Sequence, residues 1–516
     1  MGDMMDNSDD VFRKNTVFWI SAIIILALVL FGAFFPNLLA KGATAVFDFT
    51  TYAFSWFYLL AVLFFVLFCI FLAFSKYGKV KLGADNDKPE FSFFTWIGML
   101  FSAGFGIGLV FWGVAEPMSH FYSPPHADIE PLSTDAARDA MGYSFFHWGI
   151  SQWSVFTIVG LVIGYFQFRK KDNALISTTL QPIMKKRKNP KKLKKTIDIL
   201  AVIATVMGIA TSIGFGILQI NGGLNTAYGV PDHTISHLII VFILLGLYLL
   251  SSTTGLKKGI KWLSTLNLSL TLLVMIYVFI MGPTVFILNT FTLGLGDYIS
   301  NFIQLSLRLT PYEGGNWVKD WTVFYWAWVI AWSPFVGTFI ARISKGRTIR
   351  EFVVGVLIIP PLIAMFWIAV FGGTALNFDL FHGTNIAEAV NNDVTGALFT
   401  TLNELPLSSI LTVLSIILIF TFLITSADSA SYILGTMTAN GTQHPPLAMR
   451  IIWGVLISAI AAVLIIASGL TGLQSVSLIA ALPFTIILIA MSISLLYVLY
   501  NDAASKKSKK RVKKAS

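Results

Sequence analysis

The 516 residues are 56% hydrophobic and only 12% charged, with a mean hydropathy of +0.75, which excludes a soluble globular domain and points to a polytopic membrane protein. A single cysteine, Cys69 inside the apolar run 59–72, excludes disulfide frameworks, CxxC redox pairs and cysteine-based metal sites. The net charge of +10 has to be read against membrane topology.

A bilayer core of roughly 30 Å needs about 20 apolar residues per helix. That ruler predicts an all-α integral membrane protein with twelve transmembrane helices near 16–36, 52–74, 92–116, 143–168, 197–223, 235–252, 263–290, 321–341, 351–373, 408–432, 449–469 and 475–500. The first span follows an acidic tail (Asp3, Asp6, Asp9, Asp10) and precedes no small-residue cleavage site, so it reads as a retained span and not a signal peptide. Basic residues follow spans two, four, six, eight and twelve: Lys76, Lys79 and Lys81; Arg169 to Lys171 and Lys185 to Lys195; Lys257, Lys258 and Lys261; Arg342, Lys345, Arg347 and Arg350; and the terminal run 506–514. Odd spans open into neutral or acidic loops, such as Asp128, Glu130, Asp135 and Asp139, or Glu388, Asp393 and Glu404. Short basic loops stay in the cytoplasm, so both termini are expected there. Topology and anionic lipid headgroups then account for the positive charge without a nucleic-acid partner. A tail that senses membrane or ionic state is a second reading, but the sequence shows charge and no switch.

The chain divides into a cytoplasmic tail (1–15), two peripheral helices (16–91), a first five-helix repeat (92–290), an outer connector (291–320), a second five-helix repeat (321–500) and a basic cytoplasmic tail (501–516). In the connector, Tyr298, Phe302, Leu305 and Leu309 recur at helical spacing beside Asp297, Gln304 and Arg308, the pattern of a helix lying on the membrane interface. Because five is odd, the second set is inverted relative to the first, and inverted repeats place sites at the midplane where the first helix of each half is interrupted. Ser102-Ala-Gly-Phe-Gly-Ile-Gly108 and Trp332-Ser-Pro334 stand at corresponding positions. Alternating glycines permit unwinding or close approach, and Pro334 removes a donor and crowds the preceding turn, so a break is expected at each. Gly104 and Gly108 alone could equally form a small-residue packing face. Trp326, Trp328 and Trp332 fall within seven residues beside the Ser-Pro, which is poor geometry for an interfacial belt and suits a quaternary ammonium cation.

Five runs, Gly104-Phe-Gly-Ile-Gly-Leu-Val-Phe-Trp-Gly-Val-Ala-Glu-Pro117, Phe146-His-Trp-Gly-Ile-Ser-Gln-Trp153, Phe324-Tyr-Trp-Ala-Trp-Val-Ile-Ala-Trp-Ser-Pro-Phe335, Ala341-Arg-Ile-Ser-Lys-Gly-Arg-Thr-Ile-Arg-Glu351 and Thr425-Ser-Ala-Asp-Ser-Ala-Ser431, resemble the betaine/choline/carnitine transporter family, and the likeness extends from Phe18 to Leu499. The resemblance implies a LeuT-type fold on spans three to twelve, a homotrimer, and alternating-access transport of trimethylammonium compounds in a bacterial inner membrane. It implies a substrate site at Trp148, Trp153, Phe156, Trp328 and Trp332 with the break residues Gly104, Phe105, Gly106 and Gly108. The family's span-eight box tryptophan falls on position 329, which is Val329 here. Cation contacts are therefore expected mainly from Trp148, Trp153 and Trp332, with Trp328 one turn away as a gating ring and Trp326 turned from that face.

The same resemblance implies a sodium site made by carbonyls of Ser102, Phe105 and Phe422 with the hydroxyls of Thr425 and Ser426. A second sodium site would use Thr205 and Phe335, but its other threonine is replaced by Ile209, leaving Thr211 or Ser212 as the substitutes. Stoichiometry matters energetically: about 2.3 kcal/mol per charge through 100 mV and about 1.4 kcal/mol from a tenfold gradient let one sodium sustain roughly 500-fold accumulation of a zwitterion.

Choline-selective relatives carry an aspartate at the position of Gly108, and this chain keeps glycine, with Glu116 and Asp428 beyond the breaks. Asp428 reads as a structural ion pair or cap, Arg342 and Arg347 as topology signals with a gate as the lesser reading, and His147 as a packing residue. No HExxH pair, Walker loop or dinucleotide context occurs, so no enzyme and no cofactor beyond sodium is expected. The expected function is sodium-coupled symport of glycine betaine for osmoprotection, with choline, carnitine or a sulfonium osmolyte as the alternative.

Overall fold

Among the described residues, ten helical stretches are long and apolar enough to cross a membrane. The computed structural model describes residues 15–104, 106–184, 189–253, 257–312 and 314–515, with the backbone alone at 101–104, 253, 257–261 and 505–515. The acidic residues Asp3, Asp6, Asp9 and Asp10 and loop residues 185–188 lie outside it, as do the side chains of Lys257, Lys258, Lys261 and the terminal basic run.

The long helices are α1 (Thr16–Phe34), α2 (Pro36–Phe74), α3 (Phe93–Gly104), α4 (Ile107–Tyr122), α5 (Thr134–Trp148), α6 (Ile150–Gly164), α7 (Pro190–Tyr228), α8 (Thr234–Thr253), α9 (Lys257–Met281), α10 (Thr284–Ser306), α11 (Phe324–Ile343), α12 (Ile349–His382), α13 (Ser408–Thr438) and α14 (Leu447–Ala515). α3 and α4 are each too short to span at 1.5 Å per residue; end to end, across an extended Gly106, they cover the third predicted span. α14 covers the last two, and Gly469 divides it by taking φ +57°, a left-handed conformation that costs a glycine little.

The bundle is sorted by burial. The apolar windows of 134–169 and 190–228 are 94% and 83% buried, against 22% for 234–252 and 262–281, which present most of their surface outward. α7 packs against α14, α13 and α11, while α6 packs against α11 and α2. The α6–α11 crossing is close because both sides are glycine: a Cβ on Gly337 would lie 2.5 Å from Val159 Cβ, and one on Gly160 would lie 3.0 Å from the Gly337 carbonyl. Cys69 is fully buried.

Two expectations about breaks are corrected. α11 runs unbroken through Pro334. The proline leaves the Ile330 carbonyl without its helical donor, and the Ser333 hydroxyl donates to that oxygen at 2.7 Å, so the adjacent serine repairs the ladder. The fourth span, in contrast, is interrupted at an extended Gly149 between α5 and α6. There the Ile150 amide donates to the Tyr298 hydroxyl of α10 at 2.9 Å. α10 begins seven residues before the expected connector, buries Tyr298 and pairs Asp297 with Arg138 through two bonds of 2.7 and 2.8 Å.

Arg347 is 5% exposed, donates to the Phe91 carbonyl at 2.9 Å and lies 4.7 Å over the Trp96 ring. It thereby ties the loop before α3 to the end of α11, where the Leu82 and Gly346 amides exchange bonds with the Arg347 and Leu82 carbonyls.

Candidate functional site

The break in the third span brings Gly108, at the start of α4, against aromatic rings. A Cβ on Gly108 would lie 2.2 Å from Trp328 Cη2 and 3.4 Å from Trp148 Cη2, so only a glycine lets these two indoles meet the helix. Trp148 and Trp328 are perpendicular at 6.2 Å between centroids. Trp328 stacks on Trp332 at 6.0 Å and 9°, and Trp332 on Phe335 at 6.0 Å and 27°. This is the consequence of four- and three-residue spacing on one helix face. Phe156 of α6 meets Trp332 edge-on at 5.7 Å and Trp153 at 5.3 Å.

The structure therefore gathers Trp148, Trp153, Phe156, Trp328, Trp332 and Phe335 along one column beside Gly106 and Gly108. Trp328 is not set behind the others: it touches both Trp148 and the Gly108 backbone. Trp326 turns to Phe146 and His147, at 5.4 and 5.9 Å, and Val329 is fully buried. Trp332 and Phe335 keep part of their surface accessible, whereas Trp148, Trp153, Phe156 and Trp328 are each no more than 4% exposed. Phe105 lies outside the described residues, and the side chain of Ser102 with it; Gly104 is the last residue of α3.

At the closed end of the column stands a group that sequence reasoning placed outside the site. Glu116 is fully buried and accepts from four side chains: His147 Nδ1 at 2.6 Å and His120 Nε2 at 3.3 Å on Oε1, Trp148 Nε1 at 2.8 Å and the Tyr325 hydroxyl at 2.5 Å on Oε2. With Nδ1 donating to the carboxylate, His147 Nε2 accepts from the Thr322 hydroxyl at 2.9 Å. One carboxylate thus ties α4, α5 and α11 together and sets the tilt of the Trp148 ring. The signal was available: Glu116 and His120 stand four residues apart on one face, and a carboxylate inside a span needs partners. Glu116, His120 and His147 also have the donor chemistry of a metal site, but both Glu116 oxygens are already taken by N–H and O–H donors.

Above this cluster Trp317 packs 4.8 Å from His120 and 4.7 Å from Tyr143. Tyr143 in turn lines a cavity of about 680 Å³ with His126, Asp139, Asp297 and Arg308. Arg308 donates to the Tyr143 hydroxyl and to the Pro125 carbonyl.

The expected sodium ligands Phe422, Thr425 and Ser426 stand on α13. Thr425 donates to the Thr421 and Phe422 carbonyls, both at 3.0 Å, and accepts from Asn267 Nδ2 at 3.2 Å; Thr425 and Ser426 are partly accessible and Phe422 is buried. One turn further, Asp428 accepts from Ser252 at 2.6 Å and Arg450 at 3.1 Å. At the second expected site, Thr205 donates to its own helix at Ala201 (2.6 Å). Thr211 bonds Met207, Leu473 and Ser477, and Ser212 donates to Gly208 and accepts from Trp328 Nε1 at 3.2 Å, so both substitutes for the missing threonine are already engaged.

Comparison with known proteins identifies the family. The betaine/carnitine/choline family transporter profile matches residues 16–504. The chain is 61% identical over 481 residues to an ectoine/hydroxyectoine transporter of Virgibacillus pantothenticus, covering 93% of this chain and 95% of that one. It is 46% identical over 504 residues to the glycine betaine transporter OpuD of Bacillus subtilis, covering 97% and 96%. It is 37% identical over 480 residues to an osmo-dependent choline transporter of Acinetobacter baylyi, covering 92% and 70%. An all-helical, multi-pass architecture, a column of indoles beside a glycine break and a match along almost the whole chain lead to one conclusion: the chain belongs to the betaine/carnitine/choline family of transporters, and it is an osmolyte carrier and not an enzyme.

Proposed function

We propose that this protein imports a zwitterionic compatible solute into a bacterial cell by sodium-coupled alternating access, with ectoine and hydroxyectoine preferred over glycine betaine. In this reading spans three to twelve form a LeuT-type pair of inverted repeats, α3 and α4 count as one span and α14 as two, and both termini face the cytoplasm. The observation that carries it is the ring column from Trp148 to Trp332. Glu116 is the charged side chain that touches it, and both of that group's oxygens are committed to donors. A column that offers no unpaired carboxylate to a lone cation suits a molecule that carries its own anionic group.

Two observations favour ectoines over betaine. Val329 stands where the family resemblance places a box tryptophan, so a cage for a trimethylammonium group is one wall short. The cyclic amidinium of ectoine is planar and delocalised, and one flat indole face serves it. The 61% relative bears an ectoine name and the 46% relative a betaine name. Partial exposure of Trp332 and Phe335, against burial of Trp148 and Trp328, supports a pathway open on the Arg342 side.

Uptake of labelled ectoine against glycine betaine, choline and carnitine, in sodium or potassium buffer, tests the reading. Ectoine should compete best, choline should not compete, and potassium should abolish accumulation. Indifference to sodium, or choline as the best competitor, would overturn it. Trp332→Ala is expected to raise the KM for ectoine about tenfold, with Trp332→Phe closer to wild type, because a desolvated cation–π contact contributes about 1–2 kcal/mol; saturation curves for the three proteins decide.

A further inference from the structure

Asn267 stands on α9, and the long apolar stretch of that helix is mostly exposed on the bundle's outside. The asparagine itself is 4% exposed and faces inward. Its Nδ2 donates to Thr425 Oγ1 at 3.2 Å. The Thr425 proton is committed to the Thr421 and Phe422 carbonyls of its own helix, so the hydroxyl is an acceptor toward Asn267. That fixes the amide with its nitrogen at Thr425. The Oδ1 atom is then buried without a hydrogen-bond partner among the described residues. A buried amide oxygen left unpaired is costly, and in native structures such an atom calls for an explanation by an absent water or ion.

The neighbourhood says which. Oxygens gather at Thr425: the Thr421 and Phe422 carbonyls each stand 3.0 Å from its hydroxyl, that hydroxyl keeps a second lone pair, and Ser426, another hydroxyl, follows it in the chain. A hydroxyl has two acceptor lone pairs, and Asn267 occupies one. Thr425 and Ser426 are partly accessible, so an ion can reach them. Hard monovalent cations in a membrane interior take carbonyl and hydroxyl oxygens, and an amide carbonyl belongs to that class. The nearest carboxylate on the same helix, Asp428, is engaged by Ser252 and Arg450.

We infer that Asn267 is a further sodium-binding residue: its Oδ1 completes the oxygen set of Phe422, Thr425 and Ser426, and its Nδ2 holds the Thr425 hydroxyl in ligand orientation. The inference rests on the sodium coupling proposed above. It joins α9 to the ion site, so that sodium entry fastens an outer helix to α13.

The test is sodium titration of purified protein, by direct binding of radioactive sodium and by sodium activation of ectoine uptake in proteoliposomes. Wild type, Asn267→Ala, Asn267→Asp and Thr425→Ala are compared. Asn267→Ala should raise the half-saturating sodium concentration about tenfold in both measurements. Asn267→Asp, which keeps an oxygen and adds charge, should bind sodium at least as tightly as wild type and guards against a fold defect in the alanine variant. If Thr425→Ala shifts the sodium dependence while both Asn267 variants match wild type, the inference is wrong and the sodium site stands. If wild type shows no sodium dependence, the coupling reading fails and this inference fails with it.

Discussion

Replacing Glu116 with alanine is expected to reduce solute uptake about a hundredfold at matched membrane abundance. The truncation removes the acceptor for His147 Nδ1, Trp148 Nε1 and the Tyr325 hydroxyl at once, all of them buried. Each buried donor without an acceptor costs about 1–3 kcal/mol. The sum exceeds the roughly 2.7 kcal/mol that a hundredfold loss represents, because water and side-chain relaxation recover part of it. The functional part is the Trp148 ring: with its Nε1 released, the indole loses its orientation against Gly108 and Trp328. Glu116→Gln is the informative partner. Its oxygen can face Trp148 and Tyr325 if its amide faces His147 and His120, both of which can accept in the other tautomer. The Thr322 hydroxyl can rotate to follow. Uptake should fall only about tenfold, and thermal stability should stay near wild type. If alanine at this position leaves uptake within threefold of wild type, Glu116 has no part in positioning the ring.

The contrast between Glu116 and Pro334 explains what was legible in the sequence. The glycine break was legible because its cause is local: Gly106 and Gly108 permit an extended backbone and a close approach whatever packs nearby. The tryptophans of α11 were legible as a face because spacing alone aligns Trp328, Trp332 and Phe335. Pro334 misled because its effect depends on a side chain: Ser333 supplies the donor that the proline withholds from Ile330, and the helix continues. Glu116 was passed over because it lies two turns beyond the break on its own helix, and its partners His147 and Tyr325 are 31 and 209 residues away. Only the crossing of α4, α5 and α11 brings them together. Asn267 was invisible for the same reason: in its span it stands among Ser264, Thr265, Ser269 and Thr271, and its partner Thr425 is 158 residues away.

Gly108→Ala is expected to lower uptake about thirtyfold, and Trp328→Phe in the same chain should restore most of it. The added methyl would sit 2.2 and 2.9 Å from two atoms of the Trp328 ring, far inside van der Waals contact. The ring cannot withdraw freely. It is held by its Nε1 bond to Ser212, by Phe215 at 5.3 Å and by parallel stacking on Phe324 and Trp332 at 6.0 Å each. Overpacking of this kind costs about 1–3 kcal/mol, and here the strain falls on the α3–α4 break. Phenylalanine at 328 removes the outer benzo ring, the part that collides, so the two substitutions should be coupled by about 1 kcal/mol or more in a double-mutant cycle. The same geometry bears on substrate charge. Family resemblance associates aspartate at this position with choline selectivity, but the space its carboxylate needs is filled by Trp328. Gly108→Asp alone should therefore abolish ectoine uptake without conferring choline uptake, and only the pair Gly108→Asp and Trp328→Phe should admit the cation. Uptake assays of these variants, with Trp328→Phe alone to close the cycle, decide between the two accounts: additive effects, or choline transport by Gly108→Asp alone, would mean that Trp328 yields and that selectivity at this break is set by charge and not by the ring beside it.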